Sequence, residues 1–279
     1  MLVDLFDVVV NPFGPLYNPA SILAALRCLV QCRDISEDEL FQHEGLWRHW
    51  MFHSRYSRES REETFGLMNN SVRDAAEALR TAEAVIITFG TTTAYIHEGE
   101  VVANCHKQPQ RMFDKKQFSL DETVRYMQAI VEAVRSVNQS ASIIFTVSPL
   151  RYLSDGARAN TIIKATLNMA VDSLADRVIY FPAYEIMNDD LRDYRFYASD
   201  MLHPSEVAVK YIYDIFCMSF CTPETMKIAV EARKLTRRLS HRPSSGNMKI
   251  DIPELEILKR YPVLENGYKR FIKNDLQCI

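Results

Sequence analysis

The chain has no apolar run approaching the ~20 residues that a helix needs to span a bilayer, and residues 1–10 lack the basic start and apolar stretch of a secretory signal. It therefore reads as soluble and cytoplasmic. It also lacks an excess of charge of either sign, since 33 Lys and Arg against 36 Asp and Glu leave a formal charge of -3. That balance draws it neither to nucleic acid nor to anionic membranes, so a partner of either kind would have to use a local patch. Cysteine is too sparse for a disulfide scaffold, with six in 279 residues. Two pairs, Cys28/Cys32 and Cys217/Cys221, fall four residues apart in helical patterns. That spacing puts each pair on one helix face and predicts buried, reduced thiols, which fits a reducing compartment. A chain of this length buries about three quarters of its unfolded surface and needs no disulfide to hold a core.

What is present is an alternation of short apolar runs with helical patterns. The runs Val8 to Val10, Ala84 to Phe89, Ile143 to Val147 and Val178 to Phe181 are β-rich. Their apolarity is continuous rather than alternating, which predicts strands covered on both faces, as in a parallel sheet. Pro19 to Val30, Glu62 to Thr81, Leu120 to Val137 and Ala157 to Leu174 have helical periodicity. The alternation predicts a three-layer α/β domain whose functional groups lie on loops at the carboxyl ends of the strands. Near Thr222 the composition changes to a helix carrying Lys227, Arg233, Lys234, Arg237, Arg238 and Arg242. The breaker Pro243 to Asn247 follows, and short helices are expected within Leu255 to Ile272. Residues 1–221 are thus expected to form the main domain and 222–279 a helical appendage, whose basic helix reads as a solvated face.

The residues with the clearest chemistry are Asp200 and His203. An Asp three residues before a His can accept the imidazole Nδ1 proton and leave Nε2 free to take a proton from a hydroxyl, the orienter and base of nucleophilic catalysis. Pro204 suits the first position of a following helix, with Val207, Ile212 and Ile215 expected to face inward. Two nucleophile candidates fare poorly. Ser148 precedes Pro149 and is better suited to shaping a loop, and Cys105 cannot readily face the adjacent His106. His43, His49 and His53 raise a metal hypothesis: if helical, the last two share a face, but no His-Glu-x-x-His pattern accompanies them. Tyr194, Arg195 and Tyr197 are read as fixing the loop that carries Asp200, with Arg192 or Arg195 able to ligate a carboxylate.

Seven segments occur in register: Val10 to Pro19 (VNPFGPLYNP), Thr88 to Thr91 (TFGT), Asn104 to Lys107 (NCHK), Phe145 to Pro149 (FTVSP), Tyr180 to Ile186 (YFPAYEI), Leu191 to Tyr197 (LRDYRFY) and Asp200 to Pro204 (DMLHP). Together they resemble the GSCFA family, a branch of the SGNH (GDSL-like) hydrolase clan, from about Leu5 to Phe220. The resemblance implies a three-layer, flavodoxin-like α/β/α fold with a parallel sheet. It also implies a serine esterase or acyl hydrolase acting on a small or carbohydrate-like ester, with no metal or organic cofactor. By that resemblance His203 is the general base, Asp200 its orienter, and Gly14 and Gly90 belong to the oxyanion hole. The clan's Gly-x-Asn reads Gly90-Thr91-Thr92 here, so Asn104 is the substitute amide donor, a role worth ~3 kcal/mol where it operates. The family's Gly-Ser-Cys-Phe-Ala, which holds the nucleophile after the first strand, does not occur in residues 1–279. The expectation is that this segment and strand lie upstream of Met1. The other reading is a catalytically inactive binding protein on the same scaffold.

Overall fold

The structure, a computed structural model, describes residues 8–240 and 252–265. Arg242, the Pro243 to Asn247 breaker and residues 266–272 lie outside them. The chain divides into two compact units. Asn11–Ile212 forms one, and the described residues of Met1–Val10 and Tyr213–Ile279 form the other.

The larger unit begins with α1 (Pro19–Gln31). Asn18 caps it by accepting from the Ser21 amide at 2.9 Å, and Pro19 takes the first turn, where its missing N–H costs nothing. Next come the strands β1 (Phe41–His43) and β2 (Leu46–Arg48), then α2 (Arg61–Thr81), capped by Ser60. After β3 (Ala84–Phe89), a meander of β4 (Thr93–His97), β5 (Glu100–Val102) and β6 (Asp114–Gln117) forms its own antiparallel sheet. Helix α3 (Leu120–Val137) opens on a full capping box between Ser119 and Glu122. Its buried stripe of Thr123, Met127, Ile130, Val131 and Val134 has the helical period and faces the core. Then follow β7 (Ser142–Val147), α4 (Ala157–Asp172), β8 (Ile179–Phe181), the short α5 (Ala183–Glu185) running on as a π turn over Ile186–Asp190, and α6 (Glu206–Phe220).

The main sheet is parallel, with order β3-β7-β8 and helices packed on it, the α/β architecture the alternation predicts. Ile87 pairs with Phe145, and Phe89 with Val147, so one face of the sheet enters the main core with Met68 and Val72 of α2, Met127 and Ile130 of α3, and Leu167 of α4. A fully buried Phe145 implies about 3–5 kcal/mol lost on truncation to Ala. The second unit holds α7 (Pro223–Ser240) and α8 (Ile252–Arg260). There Ala232 and Leu235 close on Leu258 and Leu264. No helix among the described residues is long and apolar enough to cross a membrane.

Four expectations need correction. Val8 to Val10 forms no strand, and Val9 and Val10 are exposed; an apolar run becomes a strand only where a ladder partner exists. β3 is not covered on both faces. Ile86 is 48% exposed and Thr88 is exposed, on the face opposite the buried Ile87 and Phe89, whereas the central β7 is buried beyond Ser142. Helix α6 begins at Glu206, two residues after the Pro204 expected to open it, with Ser205 Oγ accepting from the Ala208 amide; Ile212 packs inward as expected, but Ala208 takes the inward place and Val207 is 65% exposed. Cys28 and Cys32 do not share a helix face, because Cys32 is the left-handed C-cap (φ 46°) and is exposed; both are free thiols.

Candidate active site

Asp200 and His203 sit in a loop that the backbone closes on itself. The Ala198 amide donates to the His203 carbonyl at 2.7 Å and the Ser205 amide to the Phe196 carbonyl at 2.7 Å. Within it, Met201 adopts a left-handed conformation (φ 59°) that a Cβ-bearing residue disfavours. Asp200 offsets this, since its Oδ1 accepts the amides of Leu202 at 2.8 Å and His203 at 3.0 Å. Its Oδ2 accepts from His203 Nδ1 at 2.5 Å. The two amides, with the imidazole after them, hold the Asp200 carboxyl down at about 2, so it is ionised at neutral pH. An ionised carboxylate accepts only, so the imidazole carries a proton on Nδ1. Both side chains are solvent-exposed, and among the described residues nothing hydrogen-bonds to Nε2.

A chain of contacts ties this loop to the strand ends. The Arg151 amide, on the loop after β7, donates to the Leu202 carbonyl at 3.1 Å, and its Nη1 to the Met201 carbonyl at 3.2 Å. Ser148, on the same loop, gives its carbonyl to Lys164 Nζ at 2.7 Å; the same ammonium donates to the Gly90 carbonyl, at the end of β3, at 2.9 Å. Gly90 and Thr91 in turn donate their amides to the Tyr17 carbonyl, at 2.8 and 3.0 Å. The loop holding Gly14, the ends of β3 and β7, and the Asp200/His203 loop are thereby joined in one network at the carboxyl edge of the sheet. Lys164 is 1% exposed with no carboxylate partner among the described residues, and burial pushes its ammonium down to about 8.

The candidate oxyanion donors have separate surroundings. Gly14 (φ 94°) donates its amide to the Asn11 carbonyl at 2.7 Å, and a Cβ there would lie 2.1 Å from His53 Cβ. The Gly90 amide is taken by Tyr17. Thr92, at the place of the clan's asparagine, is fully buried. Asn104 accepts the His106 amide on Oδ1 at 2.9 Å, and no described residue accepts from its Nδ2. No hydrogen bond among the described residues joins Gly14, Gly90 or Asn104 to His203. Asn104 belongs instead to a histidine and aromatic cluster around Trp50, whose ring stacks on Phe41 at 3.9 Å.

That cluster overturns the helical reading of His43 to His53. The segment is a hairpin, β1 paired with β2 around Glu44 and Gly45, both at positive φ. The histidines end up apart in role. His43 lies on β1, and His53 is exposed, its Nδ1 accepting the Arg55 amide. His49 is buried, its Nδ1 accepts the Met51 amide, and burial pushes it down to about 4. The buried His106 faces the His49 carbonyl through Nε2 at 2.9 Å and Arg48 Nη1 through Nδ1 at 3.4 Å. Because a guanidinium only donates, His106 is the neutral Nε2–H tautomer. Burial raises the Cys105 thiol above the ordinary range. Ser148 shapes its loop, accepting the Leu150 amide on Oγ. Arg192 and Arg195 are exposed and paired with Asp189 and Asp193.

The sequence model of the GSCFA family matches residues 2–216, most of the chain and all of the elements just described up to the middle of α6. The chain belongs to the GSCFA family. No curated protein and no solved structure matches it. Within this family member, the DMLHP segment is the hydrogen-bonded loop of Asp200 and His203, and Gly90 and Thr91 of the TFGT segment donate to Tyr17, three residues past the NPFG turn. A groove of about 510 Å³ between α3 and α4, lined by Leu120, Val124, Arg125 and Met169 among others, contains none of the candidate site residues.

Proposed function

We propose that this GSCFA protein is an SGNH-type acyl hydrolase acting on an ester of a small or carbohydrate-like substrate, with His203 as general base and Asp200 as its orienter. The observation that carries this reading is the 2.5 Å contact from His203 Nδ1 to an ionised Asp200, with Nε2 left without a hydrogen-bond partner among the described residues. In the proposed step, Nε2 takes the proton of an attacking hydroxyl, and Asp200 stabilises the imidazolium that forms. The tetrahedral oxyanion would draw on Asn104 Nδ2. The Gly14 and Gly90 amides contribute only if they leave their present carbonyl partners. The nucleophile in this reading is the serine of the family's Gly-Ser-Cys-Phe-Ala segment, which is not within residues 1–279. Among the described residues the outer edge of β3 has no ladder partner, which suits an added strand. Free thiols at Cys28, Cys32, Cys105, Cys217 and Cys221 fit a reducing compartment, and we propose the cytoplasm.

One observation favours a second reading, a binding protein on the same scaffold: no described hydroxyl or thiol engages His203 Nε2. Turnover separates the two. Protein isolated from its native cells is assayed against acetylated sugars and 4-nitrophenyl esters. The hydrolase reading expects Asp200→Asn to lower kcat by about 10³- to 10⁴-fold with the fold retained by circular dichroism. Turnover equal in both proteins, or absent from the wild type, supports the binding protein.

A further inference from the structure

Arg151 is half-buried, and its guanidinium lies over two tyrosine rings, 5.8 Å from the Tyr194 centroid and 5.6 Å from that of Tyr197. An arginine has five N–H donors in a planar fork. Here one bond goes to the Met201 carbonyl, and no other acceptor among the described residues takes a bond from the side chain. The carboxylates of the neighbouring loop are committed elsewhere. Asp193 accepts the Arg195 amide and pairs with the Arg195 side chain, and Asp200 holds His203 and two amides. Many arginines of this unit differ in having a carboxylate partner, as in Arg33 with Glu39, Arg48 with Glu44 and Arg61 with Glu37.

The position of this cation is set by the same atoms that set the base. Its backbone amide and one guanidinium nitrogen grip Leu202 and Met201, the residues between Asp200 and His203. The aromatic faces restrict its side chain, so a ligand meets a fork that has already lost much of its rotamer freedom. Tyr194 is itself 62% exposed and extends the platform outward.

We infer that Arg151 is an oxyanion subsite of the His203 site, and that the ester this protein takes carries a carboxylate or phosphate group which binds the Arg151 fork. The inference rests on the hydrolase reading for the word ester, but its test is one of binding. Arg Nε–H resonances are followed by NMR while the wild-type protein is titrated with monomethyl succinate, monomethyl phosphate or dimethyl succinate. The expected result is saturable binding of one or both anions and none of the neutral diester. The anion that binds identifies the group. Arg151→Gln keeps a donor for the Met201 carbonyl and removes the charge, and should weaken anion binding by about tenfold to a hundredfold. Arg151→Lys keeps the charge without the fork and should fall between. Melting temperature and circular dichroism confirm that both variants are folded. Unchanged anion affinity in folded Arg151→Gln, or no anion binding by the wild type, overturns the subsite. Anion binding without any ester turnover leaves the subsite standing and removes the hydrolase reading; turnover of a neutral ester without anion binding does the reverse.

Discussion

Replacing Lys164 with Met tests the contacts that join the two strand ends. The stem volume is nearly conserved, so the change removes a charge and two hydrogen bonds without opening a large cavity. At neutral pH two effects oppose each other. The Gly90 and Ser148 carbonyls lose their donor, at about 1–3 kcal/mol each. Burial of the charge is relieved: displacement of the ammonium from 10.5 to about 8 corresponds to about 3 kcal/mol. The variant should therefore lie within about 3 kcal/mol of wild type at pH 7. The pH dependence is more telling. The unfolded lysine keeps its proton up to 10.5 and the folded one loses it near 8, so between those values the unfolded state binds more protons and wild-type stability rises with pH. The two carbonyls favour the charged form and work against the shift, which makes about 3 kcal/mol the ceiling of the rise. Urea unfolding of both proteins by circular dichroism at pH 7, 8, 9 and 10 gives the difference in stability, from which shared titrations cancel. It should grow in favour of wild type as pH increases. A flat or declining difference would refute the claim that a buried charged lysine joins Gly90 to Ser148.

His49 gives a dependence of the same sign in an acidic window. Burial lowers it from 6.5 to about 4, so as pH falls through that window the unfolded chain takes up the proton first and stability is lost, by up to about 3 kcal/mol. His49→Asn retains an acceptor for the Met51 amide without the titration, so its urea midpoint should fall less between pH 6.5 and 4.5 than that of wild type; parallel curves would remove His49 as the source. Gly14→Ala places a Cβ 2.1 Å from His53 Cβ at a φ of 94°, and is expected to cost about 2–5 kcal/mol, seen as a lower melting temperature. A melting temperature within error of wild type would mean that the turn tolerates a side chain.

Much of the sheet and its helices was legible because several local signals agree there. Leu120–Val137 has a capping box at one end and an apolar stripe of helical period, and its bounds match the expectation; so do those of Ala84–Phe89. Val8 to Val10 carried only apolarity, which cannot supply a ladder partner. The hairpins were missed although they left a signal. Glu44-Gly45 and Glu98-Gly99 are both two-residue turns with both residues at positive φ, so the same dipeptide marks each. The Asp200/His203 pairing follows from the spacing of three residues, whereas its supports do not. Lys164 gave a weak sign, a cation within the apolar stripe of Ile163, Leu167 and Val171. Nothing local to Arg151 announced that it would meet Met201 and Leu202, fifty residues on.

The most direct test of the central claim is labelling by a serine-directed phosphonate probe. The protein is isolated from its native cells as wild type, Asp200→Asn and His203→Ala, and the adduct is located by peptide mass spectrometry. The account predicts one modified serine in the wild type, in a Gly-Ser-Cys-Phe-Ala peptide, with labelling lost in both folded variants. An unlabelled wild type, or labelling that persists without His203, would contradict the assignment of His203 as the base of an acyl hydrolase.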